Sequence, residues 1–256
     1  MTTDGANEIP RQMLLLGNFY FSFLYTSQNQ ASPKFDECLK QSYKFYNKVL
    51  EKDKSKSNIY AACGLGMVLA EMGHVSSARE IFMKIRETVP GNANVNINLA
   101  HVCLLQGRWG EAIHLYQTNL KTIPLDARGE ILASLALAFF KNRQFEEAIV
   151  TLQRALQCNP SSPILLFNLA YVRQEFAMGI LHRQSKTVRE IKMAIEELRI
   201  SEESLNSLLH DAGSERSKGV LKNRVMVALK TFCEVGIYEI YTVLTTIFII
   251  ITEKYI

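Results

Sequence analysis

Ala78-Arg-Glu-Ile-Phe82, Ala112-Ile-His-Leu-Tyr116 and Ala148-Ile-Val-Thr-Leu152 decide the fold, because they say the same thing three times. Each sets a small residue four positions before a bulky apolar one, and each reaches a proline twelve residues after its alanine: Pro90, Pro124 and Pro160. Twelve or thirteen residues upstream stands Leu65-Gly66, Leu99-Ala100 or Leu135-Ala136. The alanines are 34 and then 36 residues apart. Self-similarity at that period marks an array of stacked units, none of which can bury its apolar face alone.

The spacing has a physical cause. Two helices of a hairpin approach closely only where small residues meet, so the small position before the turn (Gly66, Ala100, Ala136) is predicted to face the small position after it (Ala78, Ala112, Ala148). Bulky neighbours then fill the layer between hairpins. The proline ends the second helix, since it can neither donate to nor fit inside a helical hydrogen-bond ladder. This order resembles the tetratricopeptide repeat (TPR). The predicted fold is all-α, a right-handed TPR superhelix (an α-solenoid) of about five helical hairpins. Gly17 and Ala170 extend the packing set to the outer units, and Trp109, the only tryptophan, is predicted to plug a hairpin corner.

At 256 residues, 48% hydrophobic and 21% charged, the composition is that of a globular chain able to bury a sizeable core. A net charge of +4 is mild and does not predict direct nucleic-acid binding. The five cysteines, Cys38, Cys63, Cys103, Cys158 and Cys233, lie in no C-x-x-C pair and in no metal-ligand spacing with the five histidines. They read as free thiols in a reducing compartment. Met13 to Tyr25 is apolar enough to imitate a signal peptide, but Asp4 and Glu8 precede it where basic residues belong, and a repeat helix is the expectation.

Taken in order, residues 1–9 carry no pattern and are assigned as a disordered N-terminus, and 10–210 form the repeat array. Its first unit, 10–56, is predicted to have a polar loop from Thr26 to Lys34 and a second helix from Phe35 to about Asp53, with Ser42 in the small position. Gly17 and Ser42 are 25 residues apart, so this unit carries an insertion in its turn. The regular units are 59–92, 93–126 and 129–162. Their corners read Gly73-His, Gly107-Arg-Trp and Asn142-Arg-Gln-Phe, where glycine or asparagine would take left-handed backbone angles. The fifth unit, 163–210, again has an expanded turn, His182 to Thr187, with Ala170 expected opposite Ala194.

Residues 211–256 form an atypical apolar segment that loses the repeat pattern. Ile240 to Ile251 is twelve residues long, below the roughly 18 of a membrane span, and Glu239, Glu234 and Lys230 interrupt its extension. A capping or swapped segment, a tail foreign to the fold and a membrane helix are the readings of this stretch, with membrane association the least supported.

No catalytic motif is present: the chain lacks a Walker A loop, G-x-S-x-G, H-E-x-x-H and G-x-G-x-x-G. The expectation is a chain with no catalytic residue, no metal and no cofactor, and not an enzyme. What an array offers is a groove lined by first helices. Asn18, Met67, His101, Leu104, Leu137, Phe140 and Tyr171 are the predicted partner-binding residues, an apolar lining suited to an extended or helical segment. Some TPR proteins clamp acidic C-terminal peptides. Asn98 and Asn168 stand at a clamp-like position, but the basic positions around them read Cys63, Ala133 and Leu137.

Leu16-Gly-Asn18, Tyr60-Ala-Ala-Cys-Gly-Leu-Gly-Met-Val-Leu-Ala70, Asn98-Leu-Ala-His101 and Phe167-Asn-Leu-Ala170, with an expanded turn near each end, narrow the class. Together they resemble the TPR scaffold subunit of the RNA polymerase II-associated factor (Paf) complex, the Ctr-nine family, of which this chain would be a fragment. The resemblance runs from about Pro10 to His210. It implies a nuclear scaffold that holds other Paf-complex subunits, docks on RNA polymerase II during transcription elongation and supports co-transcriptional histone modification. The other class that fits the repeats is a generic cytoplasmic TPR adaptor for chaperone or transport complexes.

Overall fold

A computed structural model describes residues 11–20, 33–52 and 58–211, and every regular element among them is helical. The helices are α1 (11–20), α2 (Pro33–Lys52), α3 (Ile59–Glu71), α4 (Val75–Thr88), α5 (Ala93–Leu105) and α6 (Trp109–Asn119). A 3-10 turn at Leu120–Thr122 follows, then α7 (Leu125–Lys141), α8 (Phe145–Cys158), α9 (Pro163–Leu181) and α10 (Val188–Asp211). The chain divides into two compact units, Met1–Ile123 and Pro124–Ile256. The expectations for 1–9, most of the 26–34 loop, and all of the 211–256 segment beyond Asp211 fall outside the described residues. Pro33 and Lys34 belong to α2 rather than to that loop, because proline's fixed φ and missing N–H suit the first turn of a helix.

Three turns share one construction. The N–H of Gly73 donates to Ala70 O (3.0 Å) and that of His74 to Leu69 O (2.8 Å). Gly107 and Arg108 repeat this to Leu104 O and Cys103 O (3.2 and 2.9 Å), and Arg143 and Gln144 to Phe140 O and Phe139 O (3.0 and 2.9 Å). This is the paired-bond stop in which a left-handed residue satisfies the last carbonyls of a helix. His74, Arg108 and Gln144 then start the next helix, their carbonyls accepting from the N–H groups of Ala78, Ala112 and Ala148. The sequence pattern places a left-handed residue at Asn142, and the structure corrects this. Asn142 has φ −83°, and Arg143 takes φ +63° in register with Gly73 (+83°) and Gly107 (+73°). Position within the stop, not side-chain preference, decides which residue turns left-handed.

In the first unit, Leu39, Tyr46 and Val49 of α2 pack with Ala61, Leu65 and Val68 of α3, and Met13 and Leu14 of α1 lie against them. Ser42 Oγ donates to Gly17 O at 3.3 Å, so this small pair does meet. The glycines, however, chiefly make room for rings. A Cβ on Gly66 would stand 2.8 Å from Phe82 Cζ, and one on Gly17 would stand 2.8 Å from Tyr46 Cε1. Asn58 and Asn92 cap α3 and α5, accepting from Ala61 and Val95 N–H at 3.0 and 3.2 Å.

In the second unit α7 begins at Leu125, before the expected unit start at 129. Pro124 precedes it, Asp126 favours the positive helix start, and Gly129 is accommodated inside it against Cys158. The last hairpin departs further from expectation. Ser201 Oγ donates to Ala170 O at 2.8 Å, and Leu205 and Leu208 pack on Ala170. Ala194 instead packs with Ala177, Ile180, Leu181, Ile191 and Leu198. The added residues therefore lengthen both helices as well as the turn, which spans 182–187 as expected, six residues against three at each regular corner. Ala170 meets Ser201, and two turns nearer the corner Ala177 meets Ala194. Helix α9 is long and apolar enough, by length and composition, to cross a membrane, and it packs between α8 and α10.

Candidate partner-binding site

An open cleft of about 470 Å³ in the second unit gathers three of the predicted groove residues. Leu137 and Phe140 of α7 face Tyr171 of α9 across it, with Phe167, Asn168 and Leu152 completing the wall. The rings form a ladder: Phe140 to Tyr171 at 5.8 Å between centroids, and Tyr171 to Phe167 at 6.2 Å with planes 12° apart. Phe145 edges onto Phe140 at 5.7 Å and fixes its far side. Leu137 (43% exposed) and Tyr171 (36%) present apolar area to solvent. Burial, with Glu175 adding to it, raises the Tyr171 phenol above its ordinary value, so it stays a neutral donor.

Four predicted residues lie in the first unit and are otherwise engaged. Asn18 Oδ1 accepts from the Tyr46 hydroxyl at 2.8 Å. His101 Nδ1 and the Tyr116 hydroxyl are 2.6 Å apart, and the two rings meet edge-on at 5.3 Å. Tyr116 is fully buried, so His101 ties α5 to α6, and burial lowers its pKa by disfavouring the imidazolium. Met67 packs against the α2–α3 core and Leu104 is half-buried. A second cleft, about 370 Å³, runs between α2, α3 and α4 along Asn47, Leu50, Ile59, Ile81 and Ile85, and contains none of the seven.

The packing residues take their places by size. Ala78, Ala100, Ala112, Ala136, Ala148 and Ala170 are 0–1% exposed. Trp109 is half-buried and its ring lies 3.5 Å from a Cβ built on Gly107, over the turn. Phe167 was not among the predicted groove residues, although its position one helical turn before Tyr171 places both on one face of α9. Charges between packed helices are paired. Glu111 accepts from Arg79 of α4 (3.3 Å) and pairs with Arg108 (2.7 Å), and Glu197 of α10 accepts from Arg173 of α9 (2.9 Å). Burial raises the Cys63 and Cys103 thiols, which keeps them protonated. Among the described residues no group of three or more His, Cys, Asp or Glu side chains could hold a metal ion.

Paired helices of this geometry define a tetratricopeptide-repeat protein, and the comparisons agree. The family described as TPR repeat matches residues 130–175. A solved structure of Pseudomonas aeruginosa PilF superposes with a TM-score of 0.56 at 18% identity, covering 91% of each chain, a likeness of fold alone. The sequence is 31% identical over 201 residues to "Protein CTR9 homolog" of Arabidopsis thaliana, covering 76% of this chain and 18% of that one. It is 30% identical over 209 residues to "RNA polymerase-associated protein CTR9" of Saccharomyces cerevisiae, covering 73% and 19%. The chain thus spans less than a fifth of the length of these curated relatives, and it belongs to the CTR9 family through its TPR region.

Proposed function

We propose that this chain is a non-enzymatic protein–protein scaffold of the Paf complex, acting in the nucleus on RNA polymerase II during transcription elongation and in the histone modification coupled to it. The observation that carries the reading is the extent of the CTR9 match. It takes in 76% of the chain, far more than the regular block 59–162, and therefore includes irregular hairpins that generic repeat similarity would not align. The name of the Saccharomyces cerevisiae relative, an RNA polymerase-associated protein, supports the polymerase assignment. Within the chain, the Leu137, Phe140 and Tyr171 cleft is the proposed contact for an apolar partner segment, with Asn18, Met67, His101 and Leu104 as further groove positions. Aromatic anchors of this kind supply most of the affinity of a protein interface.

The test is affinity purification of the tagged chain from nuclear extract, with mass spectrometry of the bound proteins. Recovery of Paf-complex subunits with RNA polymerase II is expected. Recovery of chaperones alone would overturn the proposal in favour of a cytoplasmic adaptor.

A further inference from the structure

The outer face of α2 carries lysine at every fourth position: Lys40, Lys44, Lys48 and Lys52. All four are exposed, on the side of the helix opposite Leu39, Tyr46 and Val49. At 1.5 Å rise per residue they form a ridge about 18 Å long with charges about 6 Å apart. Three successive lysine pairs at this spacing repel one another. No nearby acid closes a bridge to the ridge: Glu37 accepts from Gln41 at 2.6 Å, and among the described residues none of the four lysines makes an ion pair. Some exposed charges of the second unit are paired, Arg199 with Glu196 and Glu203 and Arg183 with Glu190. Lys48 lies 5.9 Å over the ring of Phe45, which itself stacks on Tyr20 of α1 at 5.8 Å, so the ridge stands on a fixed base. Tyr43, 37% exposed, flanks it.

We propose that this face of α2 docks an acidic protein segment whose carboxylates recur about every 6 Å, the spacing of glutamates one turn apart on a helix. Carboxylate is favoured over nucleic-acid phosphate by the ends of the ridge. Asp36 and Glu37 close one end, and Glu51 stands between Lys48 and Lys52 near the other, so a short acidic segment fits along the lysines while a continuous polyanion meets repulsion near both ends. The helix also contains no arginine, the residue suited to bidentate phosphate recognition. The inference is independent of the Paf-complex assignment and concerns the first unit, whereas the aromatic cleft belongs to the second.

The experiment uses the full chain and a fluorescein-labelled glutamate peptide of about 16 residues, read by anisotropy at low salt, beside a single-stranded oligo-dT of equal length. Lys44→Glu with Lys48→Glu is expected to weaken peptide binding at least about tenfold. Arg154→Glu with Lys192→Glu, an equal change in net charge at exposed positions in the second unit, should leave it within about twofold. The first pair of substitutions turns two of the three repulsions along the ridge into attractions, to Lys40 and to Lys52, so its melting temperature should not fall. Lys44→Gln with Lys48→Gln serves as the milder variant. Equal weakening by both charge reversals, no peptide binding, or tighter binding of the oligonucleotide would each overturn the proposal.

Discussion

The ring of Tyr46 fills the space that a Cβ on Gly64 would need, its Cζ standing 2.4 Å from that position. The same ring closes over Gly17, so one side chain seats α2 against both α1 and α3. It is 1% exposed and burial pushes its phenol up to about 12, which keeps the hydroxyl available as donor to Asn18.

Gly64→Ala should therefore destabilise the first unit despite alanine's better helix propensity. Overpacking a closed site costs about 1–3 kcal/mol, against about 1 kcal/mol gained from propensity. Thermal melts should show a fall in Tm, and adding Tyr46→Leu should cost less in the Gly64→Ala background than alone, because the two residues are in contact.

Arg143→Gly should stabilise the second unit. Left-handed backbone costs an L side chain about 1 kcal/mol or more, and the guanidinium offsets it weakly, approaching the Phe145 ring at 5.9 Å. A rise in Tm of about 2–4 °C is expected. Gly107→Ala, at the corresponding turn, should shift Tm the opposite way, and a fall with Arg143→Gly would show that the guanidinium outweighs the strain.

His101 makes stability depend on pH. Its folded pKa lies below the ordinary value of about 6.5, so the folded state favours the neutral ring. The stability tied to that ring is present above the unfolded value and is lost as pH falls from there through the lowered folded value. Melting curves across that window should converge for the parent and His101→Gln as pH falls. Parallel curves would remove the histidine from the account.

Leu137→Ala and Tyr171→Ala should each weaken capture of a groove partner by about tenfold, near 1.4 kcal/mol, with little change in Tm because both side chains are over a third exposed. Unchanged recovery of every partner in the purification described above would remove the cleft from the proposed site.

Much of the fold was legible because close helix crossings demand small side chains, and Ala78, Ala112 and Ala148 announce them at a repeating interval. The last hairpin was misread for a physical reason. Ala194 and Ser201 are seven residues apart, nearly two full turns, so both small residues lie on one face of α10 and periodicity cannot say which meets Ala170. Arg143 was hidden because the helix stop assigns the left-handed angle by position. The cleft was half legible: Leu137, Phe140 and Tyr171 follow from helix-face arithmetic, whereas their gathering with Phe167 depends on α7 and α9 standing side by side, which no local spacing encodes. The α2 lysines were visible as letters, but that none of them makes an ion pair among the described residues depends on how the side chains are placed. The Thr187 and Glu190 pair that starts α10 was also readable. The Glu190 carboxylate accepts from Thr187 N–H at 2.8 Å, and the Glu190 N–H donates to Thr187 Oγ1 at 3.2 Å.

The crossings within the hairpins also bear on how freely such a sequence can drift. What Gly66 against Phe82, Gly17 against Tyr46 or Ser201 against Ala170 requires is a small partner, with a ring or a hydroxyl shaped to it, and not any particular letter. Each requirement is met between two helices of the same unit, so it constrains only a handful of positions and leaves the rest to exchange independently. A lineage under that constraint can replace about seven residues in ten and keep every crossing, which accords with 31% identity to a plant relative.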